Sequence, residues 1–60
     1  MRPEEMLRRS LRYEEALLRN YLGYARQADR ELAYVFMELM QQQHQRVQKL
    51  KLILRKYCPP

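Results

Sequence analysis

The side chains of this 60-residue sequence best placed to share a chemical site are the adjacent carboxylates Glu14 and Glu15, the single imidazole His44, and the amides around it in "MELMQQQHQRV", Met37 to Val47. Carboxylates and imidazole together suit iron, manganese or zinc, whereas an amide is a weak ligand. An amide is nevertheless both a hydrogen-bond donor and an acceptor, so it can neutralise a polar position inside a helical seam. Three readings stay open. In the first, Glu14, Glu15, Gln43 and His44 form a polar layer that fixes helix register, with no cofactor. In the second, Glu14, Glu15 and His44 bind metal once a second chain doubles the ligand set. In the third, Gln41 to Gln45 simply faces water.

Other chemistry has no residues to run on. The sequence has one His and one Gly, so it offers no glycine-rich phosphate loop and no His-activated nucleophile, and no catalytic residue is assigned. An enzyme is not expected. Cys58, alone in "KYCPP", has no partner for an intrachain disulfide or a CxxC pair; it reads as a bystander thiol, with an intermolecular disulfide or a tail ligand as alternatives. The five tyrosines, Tyr13, Tyr21, Tyr24, Tyr34 and Tyr57, could stack on bases. Tyr21 and Tyr57, however, fall on helical seams and are expected in the core.

The composition is 47% apolar and 32% charged, with prolines only at Pro3, Pro59 and Pro60, which is the profile of a mostly helical soluble chain. No apolar run approaches the roughly 20 residues of a membrane span, and "MRPEEMLRRS" lacks the apolar core of a signal peptide. A cytoplasmic protein is expected. A chain this short buries too little apolar surface to stand comfortably as a monomer without disulfides or metal, so self-association is expected as well.

From Pro3 to about Gln27 the pattern is helical, opened by a proline suited to the first turn and by Glu4 and Glu5 at the positive end of the helix dipole. Alternating four- and three-residue steps select Leu7, Leu11, Glu14, Leu18, Tyr21, Ala25 and Ala28, flanked by Leu17, Leu22 and Tyr24. In the second half the same steps select Ala33, Phe36, Met40, Gln43, Val47, Leu50, Leu54 and Tyr57, flanked by Leu32, Leu39 and Ile53. Continuing the first seam past Ala28 degrades it within two turns, so the phase slips near Asp29, a good N-cap residue, with Glu31 in the next first turn. An all-α, two-helix antiparallel hairpin follows, with helices over about 4–27 and 31–57 and a turn over about 28–30, forming a single unit of residues 1–60. A continuous coiled-coil rod is the alternative, because "RQADRE" holds neither Gly nor Pro, and Gly23 could mark a kink or an earlier ending. The expected buried set is Leu11, Leu18, Tyr21, Leu22, Phe36, Leu39, Met40, Val47, Leu50 and Leu54.

With the turn centred on residue 29, antiparallel partners have numbers summing to about 58. This pairs Leu18 with Met40, Tyr21 with Met37 and Leu11 with Val47, and it sets Glu14 level with His44 and Glu15 level with Gln43. The polar interruptions of both helices then meet at one height. At the open end Arg8, Arg9 and Arg12 approach Lys49, Lys51, Arg55 and Lys56, which makes that end a candidate anion-binding surface in a chain of net charge +5.

The stretch "YEEALLRNYLGYARQAD", followed by "RELAYVFMELMQQQHQRVQKL", resembles half of a ferritin-like bundle of the rubrerythrin-like and ferritin-related spore-coat kind. The resemblance implies a hairpin that dimerises into a four-helix bundle. It also implies metal ligands from a Glu on one helix and a Glu-x-x-His on the next. In this sequence Glu14 or Glu15 and His44 match that pattern, and Gln41 stands where the family motif has its second Glu, so the motif is degenerate. The resemblance further implies that the protein could be spore-associated. The expected function is a small non-enzymatic structural or assembly protein, forming a homodimer or higher oligomer without a membrane. A metal-binding or redox protein with a site shared between chains is the alternative, and a polyanion, nucleic-acid or acidic-partner binder is the second alternative.

Overall fold

A computed structural model describes residues 1–57. Cys58 and the two final prolines lie outside the described residues. Helix α1 spans Pro3–Gln27 and helix α2 spans Arg30–Tyr57, and the two pack against each other as a hairpin, not as a rod. Pro3 opens α1 where its missing N–H costs nothing, while the Arg2 carbonyl accepts from the amides of Glu5 (3.1 Å) and Met6 (3.0 Å).

The reversal takes two residues and no glycine. Ala28 is extended (φ −82°, ψ 158°) and donates its N–H to the Tyr24 carbonyl at 3.0 Å, closing α1. Asp29 then caps α2, its Oδ1 accepting from the Leu32 amide at 2.9 Å and its carbonyl from the Ala33 amide at 2.8 Å. No described residue needs a positive φ, which is why "RQADRE" turns without Gly or Pro. Gly23 neither kinks nor ends α1, which runs through it for another turn.

The bundle measures 42 × 16 × 16 Å, the length of α2 at the 1.5 Å per residue of an α-helix. Its radius of gyration is 13.9 Å, against about 10 Å for a compact chain of this length. All of the core must therefore come from one stripe on each helix. The seam residues Leu7, Leu11, Leu18, Tyr21, Ala25, Phe36, Met40, Leu50 and Leu54 are half-buried, and only Val47 and Gln43 are fully buried among the described residues. Phe36 sits between Tyr21 (ring centroids 5.9 Å apart) and Tyr24 (5.6 Å), both tilted, so an aromatic cluster holds the turn end together.

Two expected core residues are exposed. Leu22 is 39% exposed because it lies about 80° round α1 from Glu14 at 100° per residue. Tyr57 is exposed because α2 overruns the start of α1 and has no opposing turn to cover its last residue. Tyr13, Tyr24 and Tyr34 are exposed as well.

A Cβ built on Gly23 meets nothing within 4 Å. Gly23→Ala is expected to raise stability by about 0.5–1 kcal/mol through helix propensity, and Asp29→Ala to lower it by about 1 kcal/mol through the lost cap. Chemical denaturation of the two variants checks both signs.

Candidate functional site

The polar interruptions of the two helices do meet, with partners one residue off the expected register. Gln43 is fully buried on α2, and its Nε2 donates to the Glu14 backbone carbonyl at 3.5 Å. Arg46, one turn further along α2, donates through Nη2 to Gln43 Oε1. Its Nε lies 3.5 Å from Glu14 Oε2. The three side chains close a small circuit across the hairpin: the amide satisfies both of its ends and the guanidinium neutralises the carboxylate. Glu14 Oε2 is buried and makes no hydrogen bond, so its stabilisation comes from the ion pair. Because the Arg46 side chain is 52% exposed, part of its charge remains hydrated and the pair escapes the full desolvation cost of a buried bridge.

Glu15 and His44 stand outside this circuit. No hydrogen bond or ion pair joins either of them to Glu14, Gln43 or each other among the described residues. His44 is exposed and lines a groove of about 620 Å³ along one side of the hairpin, together with Leu18, Leu22, Met37, Met40 and Gln41. It is turned there because position 44 follows the seam residue 43 by one 100° step.

The family's dimetal pattern does not fit these residues. Arg46 places a fixed positive charge against Glu14, where a dication would have to bind, and Gln41 opens to the side groove as an uncharged amide. Among the described residues no three His, Cys, Asp or Glu side chains group closely enough to hold a metal ion.

The basic residues of the open end differ in their surroundings. Arg9 is held by Glu5 at 3.0 Å and Arg2 lies 4.0 Å from Glu4. Arg8 and Arg12 flank Leu11 around a recess of about 210 Å³. Helical phase puts Lys51 and Arg55 on the same side as this recess and as the His44 groove, and Lys49 and Lys56 on the opposite side. All six are exposed.

Arg46 was not expected from the sequence as part of the layer. The available signal was a long cation one turn beyond the seam glutamine and facing the helix that carries a seam carboxylate. No family model, no curated protein and no solved structure matches the chain. No helix of the described residues is long and apolar enough to cross a membrane.

Because Gln43 is fully buried and Arg46 can reach water, Gln43→Leu is expected to stay within about 1 kcal/mol of the parent, whereas Gln43→Ala loses about 2 kcal/mol through the cavity. A double-mutant cycle between Glu14→Gln and Arg46→Gln is expected to give a coupling of about 0.5–1 kcal/mol. Equal losses for Leu and Ala at position 43 would show that the amide's bonds, not its volume, hold the layer.

Proposed function

We propose that this chain is a small non-enzymatic structural or assembly protein that works as a homodimeric four-helix bundle. The observation that carries the reading is the shortfall of burial: Val47 is the one fully buried apolar side chain of the described hairpin, while Met6, Tyr13, Tyr24, Leu32, Val35 and Leu52 are all about half exposed or more. Two helices cannot enclose a core alone, and a second hairpin laid on the first covers what is left open. The half-ferritin resemblance belongs to this proposal as architecture only, since the Glu14–Arg46 pair argues against inheriting the metal chemistry. Sedimentation equilibrium at micromolar concentration is expected to return twice the 7.5 kDa chain mass or a higher multiple. A helical monomer under the same conditions would refute the reading.

A second reading is favoured by one observation. Arg8, Arg12, Arg19, Arg26, Lys51 and Arg55 follow one side of the hairpin by helical phase, opposed on that side by Glu4 and Glu15 alone, and none of the six makes an ion pair among the described residues. Such a stripe suits a polyanion. Binding of a short DNA duplex, followed by fluorescence anisotropy, is then expected to weaken with salt at a slope of about −4 in log K against log salt, for some four phosphates neutralised. Arg8→Glu with Lys51→Glu should abolish it, and no binding at low salt would rule the reading out.

A further inference from the structure

The side of the hairpin opposite the His44 groove carries two rows of residues, all exposed except the half-buried Leu17, and both rows read the same chemistry when reversed. On α2 the row is Glu31, Val35, Glu38, Gln42, Lys49, Leu52 and Lys56, every member exposed and none in an ion pair among the described residues. Setting the row against an inverted copy of itself, so that partner numbers sum to about 87, places Glu31 against Lys56, Glu38 against Lys49 and Val35 against Leu52, with Gln42 next to the centre. On α1 the row is Met6, Ser10, Tyr13, Leu17, Asn20 and Tyr24. Inverted on itself with partners summing to about 30, it sets Met6 against Tyr24, Ser10 against Asn20 and Tyr13 against Leu17.

The two inversion centres coincide. The α2 row turns about the point between Gln43 and His44, and the α1 row about Glu15; the Gln43–Glu14 contact puts these at the same height to within about 2 Å at 1.5 Å per residue. One axis, perpendicular to the helices and lying in the exposed face, serves both rows. We infer that a second copy of this chain docks on this face, antiparallel, with α1 over its counterpart, α2 over its counterpart and the two-fold axis beside Gln42. The inference rests on the homodimer reading and adds the face, the direction and the register.

Charge decides the face and the direction. A two-fold axis parallel to the helices would lay this α2 row on the partner's α1 row, which carries no charge for Glu31, Glu38, Lys49 and Lys56 to meet. The groove side is cationic along most of its length and would repel itself. The face of the two rows carries Glu31 and Glu38 towards the turn and Lys49 and Lys56 towards the open end, so inversion neutralises it. A residue beside a two-fold axis meets its own kind, and an amide, donor and acceptor at once, satisfies that condition where a single charge would not. The face, 42 Å long and 16 Å wide, is of the size of the roughly 800 Å² per partner of a standard stable interface. The dimer leaves the His44 groove and the Arg8, Arg12, Lys51 and Arg55 stripe on the outside.

Charge-swapped variants test this by sedimentation, with helicity followed in parallel. Glu31→Lys with Glu38→Lys, and separately Lys49→Glu with Lys56→Glu, are expected to weaken the dimer about tenfold or more at low salt, and the loss should shrink as salt screens it. All four changes in one chain restore every opposite-charge pair and are expected to return the parent affinity. A parent chain that is monomeric overturns the homodimer reading and this inference together. A dimeric parent whose affinity is unchanged in both half-swaps places the interface on another face and overturns this inference alone. Half-swaps that weaken association without rescue by the full swap overturn the antiparallel register.

Discussion

Two helices packed side by side can cover only one stripe of each other, and that geometric limit governs everything else in this molecule. With helices of 25 and 28 residues the shared stripe is long but narrow, so seam residues such as Leu11, Leu18, Leu50 and Leu54 are half-buried instead of enclosed. Among the described residues, side chains are buried only near mid-length, at Gln43 and Val47. The place where water is best excluded is therefore also the place where a polar side chain has the greatest power to specify register, because an unsatisfied amide there would cost more than anywhere else in the hairpin.

The circuit of Gln43, Arg46 and Glu14 follows from that position. A slip of α2 by one residue would carry Gln43 away from the Glu14 carbonyl and Arg46 away from the Glu14 carboxylate, while the leucines on either side would find near-equivalent neighbours. The apolar seam supplies the attraction, and the polar circuit forms in this one alignment. The same stretch of α2 then serves outward. Gln42 lies beside the buried Gln43 on the helix surface, and an uncharged, self-complementary residue between an acidic half and a basic half is what the proposed inverted copy of the helix requires.

The hairpin was legible in the sequence because its signals are periodic and local. The four-and-three spacing names the seam, the loss of phase after Ala28 locates the reversal, and Asp29 with Glu31 marks the new helix start, as its cap bond to Leu32 shows. The meeting of the polar residues was legible to within one residue, the limit of counting pairs outward from a turn. What could not be counted was reach. Arg46 joins the layer because a long side chain crosses from the flank of α2 to Glu14, and His44, one step round the helix from Gln43, turns into a side groove instead. Tyr57 has the right phase for the seam but sits past the first turn of α1, so phase without length misplaced it.

The central claim is that the described hairpin is half of its own folding unit, with assembly completing the core. Thermal unfolding followed by circular dichroism over a hundredfold range of protein concentration tests it most directly, since a fold linked to association gains stability by mass action. The account predicts a midpoint that rises steadily with concentration, in a single transition. A midpoint independent of concentration, with helicity retained at the lowest dilution, would contradict it.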